Sequence, residues 1–263
     1  MALNFLAWAL LLLPLEAREN WLSAPNPKPQ PINQLRTSGN ACGPACLLDA
    51  FQCGSEKWQF SAAQITGETQ QERLIKIIRS YGARPSKQFP KQMRWNRRQG
   101  INAIDLAIMA NEMRKKLWMG TVRQRLLFCE GKTSDLKHLS TTHQSLSRSL
   151  KKGLPPILTI RRMAWRSPAK EHQGHPKSWL TVKRHYLVLT GLPEKLAKNA
   201  TSFPVSYRDP WGGYTYQGTI RIPRGAETAS YTSILDFPKS EIGKNLIRKG
   251  EATTLSLSSM IGL

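Results

Sequence analysis

Apolar and polar positions divide the chain into two textures. In the first half, apolar residues recur at helical spacing. Residues 45–52 are apolar on nearly every face and stop at Cys53-Gly54, which predicts a short buried helix. Residues 61–80 carry Leu74, Ile75, Ile77 and Ile78 on one face and end before Tyr81-Gly82, predicting a second helix. A third is expected over 102–117, with Ile104, Ala107, Ile108 and Met113 at helical spacing, and a fourth over 145–152, closed by Gly153. Residues 84–100, RPSKQFPKQMRWNRRQG, are basic and broken by proline, and read as a surface loop.

The second half has another pattern. PILTIR (156–161), HYLVLT (185–190), FPVSYR (203–208) and residues 214–222 are β-branched or aromatic runs separated by turn signals, of which Trp211-Gly212-Gly213 is the clearest. The final ATTLSLSSMIGL fits either a last strand or a frayed tail. Helices first and strands afterwards predict an α+β fold with a cleft between the two parts.

Three segments follow from composition along the chain. Residues 1–17, MALNFLAWALLLLPLEA, form an apolar run of signal-peptide length ending in a small residue. No Lys or Arg precedes the run, and Leu15 stands where a small residue is preferred. The run predicts export, secreted or periplasmic, with a buried N-terminal helix as the alternative. Residues 18–33 read as a Pro-rich linker, since SAPNPKPQP holds four prolines in nine residues. Residues 34–263 form the folded domain, large enough to bury a real core.

The balance of 39 Lys+Arg against 17 Asp+Glu, net +22 over 263 residues, favours anionic partners. Between Arg79 and Arg125 there are twelve basic residues against two acids, with Trp95 and Trp118 among them. No nucleic-acid motif accompanies them, so no specific nucleic acid is expected; an anionic envelope polymer or membrane surface fits a solvated basic face better.

The four cysteines, Cys42, Cys46, Cys53 and Cys129, show neither zinc spacing nor a disulfide framework, although Cys53 and Cys129 are free to pair in an exported chain. Cys42 lies in NACGPACLLDAF (40–51), just ahead of an apolar helix. A helix N-terminus favours a thiolate, Pro44 suits a first turn, and Gly43 leaves room beside the sulfur for a substrate backbone. Cys42 is therefore a candidate nucleophile, whereas Cys46 falls among Leu47, Leu48 and Phe51 as a small core residue. Two buried structural cysteines at a Pro-started helix are the alternative.

A cysteine nucleophile needs a base and the base an orienting group. His138 and His143 flank a Ser/Thr stretch and are expected at the surface; His172 and His175 lie in a polar loop, short of a zinc ligand set. His185 opens the apolar run HYLVLT, where a cleft wall would hold a general base or a core would hold a satisfied histidine. Asp209, twenty-four residues on, precedes Pro210 and is held extended at a strand end, able to accept from an imidazole. An ordinary Asp-Pro surface turn is its alternative reading.

Taken in order, NACGPACLLDAF, GLPPILTI, RHYLVLTGL and YRDPWGG resemble the papain-like cysteine peptidases of the bacteriocin-processing, double-glycine-cleaving type, in particular their stand-alone exported relatives. The resemblance covers about residues 34–222. It implies a papain-like fold, with a helical N-terminal half packed on an antiparallel β-sheet C-terminal half and the active site in the cleft. It also implies Cys42 as nucleophile, His185 as general base and Asp209 as orienting residue. Gln34 would supply the side-chain half of an oxyanion hole beside the Cys42 N–H, although it stands eight residues before Cys42 and the family's glutamine six, where this chain has Arg36. The implied activity is amide hydrolysis of a peptide or protein through a thioester, with no cofactor and no metal. A non-catalytic binding module of the same fold, and an acyltransferase passing the thioester to an amine, are the alternatives.

Overall fold

The computed structural model describes residues 20–37, 39–114, 118–129, 135–167, 176–225 and 231–263. The signal-like run 1–17 lies outside them, as do His172 and His175. In chain order the helices are α1 (Cys42–Gln52), α2 (Glu56–Ala63), α3 (Gln70–Ile77), α4 (Ala103–Met113) and α5 (Asp135–Lys151). The strands are β1 (Trp21–Ser23), β2 (Trp95–Asn96), β3 (Gly100–Ile101), β4 (Arg123–Leu126), β5 (Phe128–Cys129), β6 (Ile157–Arg166), β7 (Ser178–Pro193), β8 (Ser202–Asp209), β9 (Tyr214–Arg221), β10 (Tyr231–Thr232), β11 (Ile234–Asp236) and β12 (Thr253–Gly262). Among the described residues no helix is long and apolar enough to cross a membrane.

The dominant element is an antiparallel barrel. Strands run in the order β7-β6-β12-β11-β9-β8, and β8 returns to pair with β7, closing a ring of six; β1 extends β7 and β4 extends β12 into an eight-stranded sheet. This corrects the papain-like expectation of a helical half packed on a sheet half. Among the described residues the α-helices are five, of 8 to 17 residues, and the sheet draws strands from residue 21 to residue 262. Closure depends on β7, whose sixteen residues pair with β6 over 178–188 and with β8 over 188–191. Register shifts at Arg162/Met163, Leu189/Gly191 and Leu257/Ser259 supply the bends that a small barrel needs.

The core follows from strand alternation. All six barrel strands contribute to one apolar cluster that includes Leu158, Leu187, Leu189, Phe203, Tyr207, Ile220, Leu235 and Leu257, so this cluster is the barrel interior; α5 adds Leu139, Leu146 and Leu150. The alternate residues Tyr186 and Val188 face a second cluster built from α1 to α4. Tyr207 stacks on Phe237 at 4.1 Å between ring centroids.

Several local expectations change. The helix expected over 61–80 is two helices, because Thr69 starts α3 by accepting from the Glu72 N–H at 3.1 Å, while Glu72 accepts from the Glu68 N–H at 2.9 Å. The helix expected over 145–152 begins at Asp135, and it buries His138 and His143 rather than exposing them. His143 Nε2 meets the Pro193 carbonyl at 2.8 Å, and burial lowers the pKa of both rings. ATTLSLSSMIGL is a strand, β12, in the middle of the sheet. The 18–33 segment contains β1, which pairs with 191–193, and Ile32 is buried. In the basic segment 84–100, Arg94 is buried and forms a two-pronged pair with Glu112 of α4, at 2.7 and 3.0 Å.

Leu257 sits fully buried where β12 crosses the barrel interior. Leu257→Ala is expected to lower stability by about 2–5 kcal/mol, measured as a shift in urea midpoint with an unchanged slope.

Candidate functional site

Cys42 is the first residue of α1, and the turn before it is pinned from the basic segment. The Asn40 N–H donates to Arg97 O at 3.0 Å, Trp95 Nε1 donates to Asn40 O at 2.9 Å, and Asn40 Nδ2 donates to Arg98 O. Ala41 caps the helix without a side-chain hydrogen bond, so no side chain covers the positive end of α1. Cys42 is half-buried, while Cys46 and Cys53 are buried; all three are free thiols. Burial first, then the charge on Cys42, pushes the Cys46 thiol well up. Nothing is described of the Cys129 side chain.

Gly43 serves packing. A Cβ at this position would run into Ile101 Cγ2, so the space expected to admit a substrate backbone is filled by Ile101. Ile101 is held in turn by Tyr186, whose hydroxyl donates to the Ile101 carbonyl at 3.0 Å.

His185 and Asp209 come from adjacent strands of the ring, where Val188 lies opposite Arg208. His185 Nε2 lies 2.7 Å from Asp209 Oδ1, and both residues are 2% exposed. The Cys42 side chain lies close enough to act on the ring electrostatically. Burial pulls the imidazole pKa down, but the hydrogen bond to Asp209 and the negative charges on Cys42 and Asp209 outweigh it. The result is a pKa raised to about 9. Asp209 Oδ1 also accepts the Trp211 N–H at 2.8 Å, which fixes the carboxylate at the head of the β8–β9 turn. Gly212 and Gly213 shape that turn at φ 97° and 74°, a region open mainly to glycine. The structure thus brings Cys42 beside a histidine that is hydrogen-bonded to Asp209.

Gln34 sits in a short 3-10 turn (Gln34–Arg36), and its backbone N–H donates to Pro210 O at 2.9 Å. It is buried, and its Oε1 has no hydrogen-bond partner. The glutamine therefore lies beside the Asp209 turn with spare polar capacity.

A cleft of about 760 Å³ opens at Cys42. Its walls are Asn40, residues of the segment 88–103, and β6 and β7 side chains including Thr159, Arg161, Arg184 and Tyr186. Cys42 lines this cleft, whereas His185 and Asp209 lie behind it. A cavity of about 1420 Å³ between Trp21, Val205, Phe237 and Leu255 contains none of these residues.

Two residues that sequence reasoning passed over hold the arrangement. Arg208 Nη1 pairs with Asp49 Oδ1 of α1 at 2.9 Å, both side chains about 95% buried, and Arg208 Nη2 donates to Pro27 O at 2.6 Å. The pair ties the helix that carries Cys42 to the residue next to Asp209. Burial raises the Asp49 carboxyl to about 6 against the opposing pull of Arg208. An aspartate inside the apolar run CLLDAF was the signal, since a charge buried there requires a partner.

Removing one member of this buried pair is expected to be far worse than removing both. Arg208→Met should destabilise by about 3–5 kcal/mol, and the double change Asp49→Leu with Arg208→Met should recover most of that, as read from urea denaturation of the three variants. A double variant no more stable than the single one would show that the pair does not link α1 to β8.

Comparison with protein-family models, with curated proteins and with solved structures finds no match to this chain.

Proposed function

We propose that the protein is a cysteine peptidase that hydrolyses an amide bond through a thioester on Cys42. The observation that supports this reading is the buried His185–Asp209 pair standing beside Cys42 at the edge of a cleft. The likeness of its motifs to double-glycine-cleaving peptidases agrees with the chemistry, although the barrel is not the fold that likeness implied. Export rests on the signal-like run at 1–17.

The residues have separate tasks. With the proton on His185, the Cys42 sulfur attacks the scissile carbonyl, and the oxyanion forms at the uncapped end of α1 near the Cys42 N–H. Gln34 is assigned the side-chain share of that site. The imidazolium gives its proton to the departing amine and leaves a thioester. Neutral His185 then takes a proton from water, hydroxide adds to the thioester carbonyl, and the acid leaves as the thiol is restored. Asp209 holds the ring in one tautomer and stabilises its charged form. Burial of both residues behind Cys42 keeps these interactions in a low dielectric, where they are strongest.

Iodoacetamide at mildly acidic pH is expected to label Cys42 ahead of Cys46 and Cys53, read by intact mass and peptide mapping, because Cys42 lines the cleft beside a histidine able to take its proton whereas burial holds the Cys46 and Cys53 thiols well up. His185→Ala should remove that preference. On any cleaved peptide Cys42→Ala abolishes turnover, and Asp209→Ala lowers kcat/KM by roughly 10- to 150-fold, with Asp209→Asn milder. A folded protein whose Cys42 resists labelling is a binding module instead, and a product mass that shifts when an amine is added marks an acyltransferase.

The raised His185 pKa fixes the sign of a pH effect. Against an unfolded value near 6.5, a folded value of about 9 means that protonated His185 stabilises the native state fully below about 6.5. That contribution is lost as pH rises from about 6.5 through 9. Wild type should therefore lose more stability than His185→Gln between pH 6 and pH 9.5, with alkylation of Cys42 losing its histidine-dependent part over the same interval. Parallel stability curves for the two proteins would count against the pairing.

A further inference from the structure

Four arginines are buried among the described residues: Arg94, Arg162, Arg208 and Arg221. Three of them carry a carboxylate, since Arg94 pairs with Glu112, Arg208 with Asp49 and Arg221 with Asp236. Arg162 is the exception. Its Nε donates to Ile242 O at 2.9 Å and its Nη2 to Ser240 O at 3.2 Å, and no carboxylate among the described residues forms an ion pair with it. Burial pulls its pKa down and only Glu241 pulls it up, although Glu241 is itself paired with Lys244 at 2.7 Å. Two neutral carbonyls replace only part of the hydration that a guanidinium gives up, so a charge held in this way is stabilised by an anion brought to it.

Arg162 lines the cavity of about 1420 Å³, and all six barrel strands contribute to that lining. On β6 the side chains of Leu158 and Ile160 face the barrel interior, and Arg162 continues their row into the cavity. Trp21, Val205, Leu235, Phe237 and Leu255 give the walls apolar surface, while Gln217 and Thr253 stand exposed at the rim. The cavity is therefore the open mouth of the barrel, at the end where β8 begins, whereas Asp209 lies at the other end of that strand. Its volume exceeds the about 300–1,000 Å³ usual for a small-molecule site, and barrel mouths are a common place for one. Neither Cys42 nor His185 belongs to the lining.

We propose that the barrel mouth binds an amphipathic carboxylate, with the carboxyl group on the Arg162 guanidinium and the apolar chain against Val205, Leu235, Phe237 and Leu255. Two of the five N–H donors of Arg162 are used by Ile242 and Ser240, which leaves its Nη1–Nη2 edge for the two-pronged contact that a carboxylate makes. A site of this kind is separate from the chemistry assigned to Cys42 and goes beyond the peptidase reading.

Decanoate and decanamide share one apolar chain and differ in charge. Isothermal titration of the full chain, below the concentration at which decanoate self-associates, is expected to show a single decanoate site and at least about tenfold weaker binding of decanamide. Arg162→Met should weaken decanoate by about 10- to 150-fold and leave decanamide unchanged, with circular dichroism confirming the fold. Thr253→Trp sets bulk at the rim while Arg162 keeps its contacts, so it should remove binding of both; it keeps the test decisive if Arg162→Met does not fold. Lys152→Gln and Lys249→Gln, exposed and outside the lining, should bind both compounds as wild type does. Equal affinity for the two compounds would overturn the inference, as would undiminished decanoate binding in folded Arg162→Met or Thr253→Trp. So would an absence of binding, or a loss in the lysine variants as large as in Arg162→Met, which would mark attraction to the basic surface at large. Acetate that displaces decanoate at equal concentration would also overturn it, because the apolar chain would then contribute nothing. Each of these results leaves the peptidase reading standing, since alkylation of Cys42 and cleavage of a peptide are read at another site.

Discussion

The pairing of β7 with two neighbours at once is the constraint on which the rest depends. One side of the strand binds β6 along ten residue pairs, and near its C-terminal end the other side binds β8. That second pairing closes the ring, and it is also what sets His185 beside Asp209. Barrel and site are therefore one construction: a slip of one residue between β7 and β8 would turn alternate side chains to the wrong face and separate the imidazole from its carboxylate.

What the barrel does not supply is Cys42, the proposed nucleophile, which arrives on a helix outside it. α1 is seated by apolar contacts from Ala45, Leu47, Leu48 and Phe51, and such contacts define a face better than they define a position along the strand. The Asp49–Arg208 ion pair adds direction, because a buried charge has a single satisfactory partner within reach. The Asn40 contacts with Arg97, Arg98 and Trp95 fix the other end of the approach to Cys42. The helix is thus held at both ends, as a group that must meet a histidine at hydrogen-bond distance requires.

The candidate site was legible to a greater degree than the fold. Cys42, His185 and Asp209 each announce themselves locally: a cysteine before a Gly-Pro helix start, a histidine heading an apolar strand, an aspartate before proline. Strand runs such as 203–208 were readable because one face, Phe203, Val205 and Tyr207, is aromatic or β-branched at alternating positions. Barrel closure was not, since it depends on which strands pair, and β7 begins with SWLTVKR, whose mixed polarity hides seven more residues of strand before the apolar run. α5 was cut short for a similar reason. Its Ser- and Thr-rich first turns look like a loop, yet Thr141 and Ser145 return hydrogen bonds to the carbonyls of Lys137 and Thr141 within the helix. Asp49 was visible in the sequence but its partner, 159 residues away, was not.

The position of β12 has a consequence for when this molecule becomes itself during synthesis. The strand spans Thr253–Gly262 and lies between β6 and β11, so Thr253 meets Ala164 across some ninety residues of intervening chain. A nascent chain that has already made Cys42, His185 and Asp209 still has an open sheet, with the edges of β6 and β11 bare and their inner faces wet. Such long-range closure is slow and comes late. The β7–β8 pairing that sets His185 beside Asp209 uses neither of those edges, so that contact can form before the ring closes, whereas the barrel as a whole waits for β12.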